Sequence, residues 1–544
     1  MPSPSPVAQF TVGTAIPHIL EQSGVQVVFG IPGNHTVELY RGLADTSIRH
    51  ITTRHEQGAA FMADGYARVS GQPGVCFVIS GPGLMNAATA IVQAQQDSVP
   101  LLVVTTVSGA DDQVGALHQM PDQLRAAQGM CKAVMQIESA ATLQAQLQEA
   151  YALCAAASPG AVVVQVPLHL IGDTCAFSEV EAEIAAEVES SAAESPGNPG
   201  EYAQTIAELL GTARQPLLVL GGGAQRSTHL VELAEKLDAP VLNTVNGKGL
   251  LPASHPLAVG GSPSLPTLKR ALAAADVVLA LGTELGETDF DLLMNETPER
   301  RGRWLLVSTA ESPPVLADEV FACGVEVLVP ALLGALDDMH CDGAERARQL
   351  RAEVGQEAHM HPDFAVFFKA VQAAASDLVL VGDSTRPTYY AAWMYECEQP
   401  RRYFHSVSGF GTLGYAIPAA FGAALASQVG VVALIGDGGA QFSLAELATG
   451  LDNQIGVPIV IWCNRGYEEI TNSLAAQGVG GSSTDVSAPD YAQLAKAYGL
   501  QCWQPETPAE LTQAISAGLT LQQPSLILVQ QSKFVHSASG QWYS

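Results

Sequence analysis

The chain has 544 residues, 54 acidic against 25 basic, and a formal net charge of −29 at pH 7. That balance argues against a nucleic-acid binder or a partner of anionic membranes, both of which need a basic surface. Hydrophobic residues at 47% and charged residues at 15% suit large cores rather than disorder, and the length predicts roughly three or four domains.

The opening MPSPSPVAQF has neither a basic nor an apolar signal region. Residues 1–172 then alternate apolar strands, at 25–29, 50–52, 74–79, 101–105 and 160–166, with helical segments. That alternation predicts a parallel, doubly wound sheet. The turn GIPGNH at 30–35 puts Asn34 and His35 at a strand's carboxyl end. RHEQGAA at 54–60 carries Glu56 into a helix, SGPG at 80–83 is a backbone-dense turn, and a loop at 108–123 carries His118. Residues 173–200, rich in Glu, Ala, Ser, Pro and Gly, read as a linker. A central α/β block covers 201–340, with strands at 216–220, 277–281 and 304–307. Its Gly221-Gly222-Gly223 is not GxGxxG and reads as a structural turn. A charged linker helix within 341–360 leads to a third block, 361–544, in which Ser384 and Thr385 follow a strand at 379–381. Nine cysteines occur singly, without metal or CxxC spacing, so reduced thiols and a cytoplasmic location are expected. No apolar run reaches the roughly 18 residues that span a bilayer.

The third block holds the most informative stretch. A strand at 431–435 runs into Gly436-Asp437-Gly438-Gly439; a helical segment at 443–453 and a strand at 457–462 follow, ending at Asn464. Asp437 and Asn464 are 464 − 437 = 27 residues apart, which suits one crossover between neighbouring parallel strands. In open α/β sheets, ligands bind at such strand ends. A carboxylate and an amide oxygen side by side are hard-cation ligands, and glycine backbone can approach a phosphate closely. The stretch reads as a Mg²⁺–diphosphate site.

It also resembles the motif of thiamine-diphosphate enzymes, GDG followed some two dozen residues later by paired asparagines. The resemblance extends over essentially the whole chain. One departure is Cys463, where the first asparagine is usual. The resemblance implies an α/β fold of three doubly wound parallel-sheet domains: pyrimidine-binding, central and diphosphate-binding. It implies Mg²⁺ ligation by Asp437, Asn464 and the Gly466 carbonyl, with diphosphate oxygens and a water. Ser384, Thr385 and the backbone of Gly436, Gly438 and Gly439 would contact the diphosphate. Leu413, in GFGTLGYAIPAA, would sit beneath the cofactor, and the Gly411 carbonyl would accept from its 4′-amine. Glu56 would hydrogen-bond N1′ of the aminopyrimidine and exchange a proton there. In this family that glutamate reaches a cofactor held by another subunit. A homodimer or homotetramer with active sites at the subunit interface is therefore implied.

Acetohydroxyacid synthases carry an FAD-binding pattern in the central block. Here the corresponding loop reads VGGSPSL at 259–265, and Glu284 stands where a flavin-contacting arginine is usual, so FAD is not expected. GIPGNHTVELYRG, LHQMPDQ and NRGYEEI look most like acetolactate-synthase-like 2-oxoacid decarboxylases, in particular those acting on 5-guanidino-2-oxopentanoate. The implied activity is non-oxidative decarboxylation of a 2-oxoacid to an aldehyde and CO₂. Asn34 takes the place of the catalytic aspartate of pyruvate decarboxylases. An amide cannot transfer that proton, which leaves His35 and His118 as candidate donors. Glu469 could pair bidentately with a substrate guanidinium, or be a solvated helix-start acid. Ile470 stands where pyruvate decarboxylases place a glutamate. Two alternatives are an acyloin-forming carboligase of the acetolactate synthase or benzaldehyde lyase kind, and a non-catalytic cofactor-binding homologue.

Overall fold

The computed structural model describes residues 10–108, 120, 122–176, 197–290, 300–310, 316–358, 362–481, 483–484 and 486–534. The chain divides into two compact units. One comprises Met1–Ser191 with Pro418–Ala426 and Ser443–Ile455; the other comprises Ala192–Ile417, Ser427–Phe442 and Gly456–Ser544.

The first unit is built on a six-stranded parallel sheet. Across it the strands run Arg49–Thr52, Val27–Gly30, Gly74–Val78, Leu101–Val107, Ala161–Pro167 and Ala133–Gln136. The inner strands are buried along their length and rich in valine, as expected of parallel strands covered on both faces. A helix at Glu56–Ser70 starts on His55, whose Nδ1 accepts from Gln57 N at 3.1 Å, and stops at Gly71, at φ +75°. Residues 418–426 cross this helix with their backbones nearly touching. A Cβ on Gly65 would lie 2.0 Å from the Ala419 carbonyl oxygen, and one on Gly422 would lie 1.8 Å from that of Met62. Phe10–Thr11 pairs antiparallel with Thr174–Cys175, the start of the expected linker; residues 177–196 of that linker lie outside the described residues.

The second unit holds two parallel sheets. In the five-stranded central sheet the order is Val241–Asn243, Pro216–Leu220, Val277–Leu281, Arg303–Val307 and Glu319–Phe321. The turn after Pro216–Leu220 is a short 3₁₀ element, Gly222–Ala224. The charged helix is present as Gly343–Ala358. The third sheet runs Tyr403–His405, Leu378–Gly382, Gly430–Gly436, Pro458–Cys463, Ser525–Gln530 and Gln501–Trp503. Together with the first unit's sheet, these make three parallel-sheet α/β domains, as expected.

The two six-stranded sheets share one topology. Numbered along the chain within each sheet, both have the strand order 2-1-3-4-6-5. In both, the order reverses between the first and third strands, the switch point at which open α/β sheets bind ligands. The first sheet's switch lies between Val27–Gly30 and Gly74–Val78, and the third's between Leu378–Gly382 and Gly430–Gly436. All nine cysteines are unbonded. Among the described residues no helix is long and apolar enough to cross a membrane.

Candidate active site

In the second unit, the third sheet's switch point gathers most of the expected ligands. Gly430–Gly436 and Pro458–Cys463 pair in parallel, with Gly436 opposite Trp462, so Asp437 and Asn464 leave neighbouring strand ends. Asp437 is buried; its Oδ2 accepts from Arg465 N at 2.8 Å and its Oδ1 from Gly466 N at 3.2 Å. Burial raises this carboxyl, and the backbone N–H bonds oppose the rise. Tyr491 Oη donates to the Asp437 carbonyl. Arg465 at φ +70° and Gly466 at φ +112° turn the backbone sharply after Asn464. A Cβ on Gly466 would lie 2.7 Å from Val486 Cγ2.

Asn464 is the informative residue. Its Nδ2 donates to Glu468 Oε2 at 2.9 Å, which fixes the amide's orientation. Its buried Oδ1 has no hydrogen-bond partner. An orphaned buried amide oxygen beside a carboxylate is what a hard cation would use. Among the described residues no group of three or more His, Cys, Asp or Glu could hold a metal. A cation here therefore needs further oxygens, such as those of a diphosphate. The glycine turn beside it packs so closely that side chains would not fit, which leaves bare backbone at the strand end. Cβ atoms would lie 3.0 Å from Thr385 Oγ1 at Gly436, 2.9 Å from the Tyr467 ring at Gly438, and 3.0 Å from Asp383 Oδ1 at Gly439. The residues present fit Mg²⁺ and thiamine diphosphate.

Glu468 does more than hold Asn464. Its Oε1 accepts from Gln531 Nε2 at 2.8 Å, and its Oε2 pairs with Arg386 Nη1 at 3.2 Å. Gln531 Oε1 in turn accepts from Trp462 Nε1 at 2.8 Å. Arg386, on the helix Arg386–Met394, is itself buried. Its Nε lies 3.7 Å from Glu469 Oε2, which makes no hydrogen bond. Burial raises the Glu469 carboxyl, and Arg386 opposes the rise. The guanidinium brought to Glu469 is thus the chain's own. Ile470 is 54% exposed on a helix, Glu468–Ala476, that buries no residue.

Asp383, between Leu378–Gly382 and Ser384, is fully buried. Its carboxylate accepts from the N–H groups of Ser384 at 3.0 Å, Gly414 at 3.3 Å and Ala416 at 3.0 Å. This ties the Gly411–Leu413 loop to the switch point. Ser384 Oγ donates to the Thr412 carbonyl at 3.1 Å, strengthening the tie. Thr385 begins the helix Arg386–Met394 without a side-chain cap hydrogen bond. Leu413 is half-buried, and Gly411 is at φ +75°.

In the first unit, Asn34 and His35 form a 3₁₀ turn, Asn34–Thr36, and His35 Nδ1 lies 3.0 Å from Ser80 Oγ across the switch point. Glu56 begins its helix from the next strand over, and its Oε2 accepts from Asn86 Nδ2 at 2.9 Å. His118 lies outside the described residues, but the end of its loop is fixed. Gln123 is buried, donates to the Thr106 carbonyl at 2.9 Å and accepts from Gly81 N at 2.7 Å. Asp383, Arg386, Gln531, Tyr491, Asn86, Ser80 and Gln123 were not among the site residues expected from sequence, and Glu468 was expected only as part of the substrate-facing stretch 468–470. Of these, only Asp383 and Ser80 carried a signal, as polar residues beside strand-end turns.

Comparison with known proteins agrees along the chain. The N-terminal domain of thiamine pyrophosphate enzymes, a thiamine-pyrophosphate-binding domain, matches residues 10–127. Their central domain matches 203–305 and their C-terminal binding domain 383–529. A probable 2-ketoarginine decarboxylase, AruI, of Pseudomonas aeruginosa is 37% identical over 94% of this chain and 92% of its own length. The acetolactate synthase isozyme 1 large subunit of Escherichia coli is 28% identical over 96% and 94%, and the acetolactate synthase of Mycobacterium bovis 30% over 92% and 84%. With all three domains matched in order and a relative 37% identical along nearly its whole length, this chain belongs to the thiamine-pyrophosphate-dependent enzymes.

Proposed function

We propose that the protein is a Mg²⁺-dependent decarboxylase that converts a 2-oxoacid to an aldehyde and CO₂. Its substrate would be cationic, of the 5-guanidino-2-oxopentanoate type, and it would act as a homodimer or homotetramer. The observation that carries the cofactor half is Asn464, with Nδ2 fastened and Oδ1 left over. The reaction is supported by the 37% identical relative described as a probable 2-ketoarginine decarboxylase.

Bound thiamine diphosphate supplies an electron sink for cleaving a bond next to a carbonyl. Asp437, Asn464 and the Gly466 carbonyl would hold the cation; Ser384, Thr385, Gly436, Gly438 and Gly439 would hold the diphosphate. Leu413 and Gly411 would support the cofactor's middle. Glu56 has Oε2 engaged by Asn86, so Oε1 is the oxygen to hold a proton facing the pyrimidine. His35 has Nδ1 engaged by Ser80, which leaves Nε2 to pass a proton, with His118 as a second donor and Asn34 as a neutral neighbour. Glu469, already beside the chain's own Arg386, would take a substrate guanidinium by sharing that carboxylate, and Ile470 would offer an apolar wall.

The test is a panel of cationic, branched, aromatic and simple 2-oxoacids, with CO₂ and aldehyde measured. Glu469→Gln should raise KM for the guanidino acid about 10-fold, and leave an uncharged 2-oxoacid nearly unaffected. Equal changes for both would reject a cationic substrate, and no CO₂ from any acid would reject the decarboxylase. Acyloin formation is the second reading, favoured by the full-length similarity to acetolactate synthases. Acyloin accumulating in place of aldehyde would select it. Neither reading is given FAD.

A further inference from the structure

We infer that Glu446 is a positioning residue for Glu56, gripping the peptide that leads into the Glu56 helix. The inference rests on the reading that Glu56 serves the cofactor. Glu446 is 1% exposed, at the start of the helix Glu446–Asp452. A carboxylate removed from water so completely is costly unless its oxygens are well bonded. They are. Arg54 N donates to Oε1 at 3.1 Å and to Oε2 at 3.2 Å, His55 N to Oε1 at 2.9 Å, and Thr449 Oγ1 to Oε2 at 2.6 Å. Arg54 and His55 are the two residues immediately before Glu56, between the strand ending at Thr52 and the helix. In such a gap their N–H groups have no regular ladder or helical partner.

Other contacts point the same way. A Cβ on Gly58 would lie 2.3 Å from Glu446 Oε1, so only glycine there allows the approach. The Arg54 guanidinium bonds Asp452 at the far end of the same short helix, and Arg49 Nη2 donates to the Asn453 carbonyl at 2.9 Å. Residues 49–58 are thus held along one face by residues 446–453. Hydrogen bonds to a charged acceptor are shorter and stronger than neutral ones. A group that must exchange a proton with a bound ring has to be held within about 0.5 Å of its working position. Glu446 supplies that constraint without touching the ring itself.

The experiment uses Glu446→Gln, which preserves shape but puts an NH₂ where an acceptor is needed. It should speed hydrogen–deuterium exchange of the Arg54 and His55 amides in the cofactor-free protein by about 10- to 100-fold. In the loaded protein it should slow exchange of the thiamine C2 proton by about 10- to 100-fold, because misplacement of about 1 Å costs that much. Cofactor affinity should stay near wild type, while the melting temperature should fall by a few degrees, because buried donors lose their acceptor. Native C2 exchange in folded E446Q, or unchanged amide exchange, would overturn the inference. Should E446Q not fold, Gly58→Ala decides, because it pushes a methyl group against Oε1 with Glu446 still present. It must give the same two changes, and native C2 exchange in folded G58A overturns the inference. Glu56→Gln is the control. Wild-type C2 exchange in that variant would refute the role of Glu56 itself, whatever Glu446 does.

Discussion

Replacing Glu468 by glutamine should flip Asn464 and remove a cation ligand. The Glu468 carboxylate serves three donors: Asn464 Nδ2 at 2.9 Å, Gln531 Nε2 at 2.8 Å and Arg386 Nη1 at 3.2 Å. A glutamine offers one carbonyl oxygen and an NH₂, so at least one donor must then face another donor. Arg386 shares Oε2 with Asn464 and has no acceptor atom with which to adapt, but it has a second carboxylate to turn to, Glu469 Oε2, 3.7 Å from its Nε. Gln531 could turn its amide only by giving up the bond from Trp462 Nε1 at 2.8 Å. Asn464 has nothing to lose, because its Oδ1 has no protein partner. It should turn over, point Oδ1 at the new NH₂ and present Nδ2 where the proposed cation would bind. Loss of such an outer partner typically costs about 10- to 100-fold in metal affinity. That corresponds to about 1.4–2.7 kcal/mol. Titrating Mg²⁺ into the protein at fixed thiamine diphosphate, by calorimetry or intrinsic fluorescence, reads it directly. Wild-type Mg²⁺ dependence in folded E468Q would refute the reasoning.

Glu56→Gln should lower turnover by about 10²- to 10⁴-fold while thiamine diphosphate still binds; near-normal rates would refute its role. Gly438→Ala places a methyl group 2.9 Å from the Tyr467 ring, an overpacking cost of about 1–3 kcal/mol. It should lower both melting temperature and cofactor affinity, and wild-type values of both would show that the turn is roomier than its geometry. Burial raises the Asp383 carboxyl from 3.8 to about 6 in the folded chain. A raised folded value means this group's stabilisation is complete below the unfolded pKa and is lost as pH rises through about 6, some 3 kcal/mol in all. Wild-type stability should fall relative to Asp383→Asn as pH rises from 4 to 7 in denaturant melts; a constant difference would reject the shift. Purified protein should show no flavin absorbance near 450 nm, and a stoichiometric flavin spectrum would restore FAD to the central domain.

What could be read from sequence follows from where each side chain's partners lie. Strands 216–220 and 277–281 were legible to the residue, because parallel strands buried on both faces are unbroken apolar runs. Edge strands such as Ala133–Gln136 and Gln501–Trp503 are half-exposed and of mixed character, and they escaped. Ser525–Gln530 is apolar enough to read but ends in no turn that drew attention. Asp437 and Asn464 stood out by residue type and local spacing, and Glu56 by the resemblance of its surroundings to the family's motif. Their supports did not. His55 and Glu446 are 391 residues apart in sequence, and nothing local to either announces the bond. The same holds for Glu468 and Gln531, whose meeting depends on the adjacency of two strands. Glu469 shows the reverse: its acid was legible, but not that Arg386 already stands beside it.

The make-up of the first unit bears on how the protein can be synthesised. Its helix-crossing glycines and the Glu446 contacts need residues 418–426 and 443–455, yet its own sheet is finished before residue 191. A ribosome making roughly 5–20 residues per second needs on the order of 10–50 s to cover the intervening 455 − 191 = 264 residues. For that time the Glu56 helix waits with Met62 and Gly65 unmatched, a surface suited to a chaperone. A fragment ending near residue 191 should therefore precipitate when expressed alone. Swapping the N-terminal domain between relatives should succeed only when those two distant segments are exchanged with it.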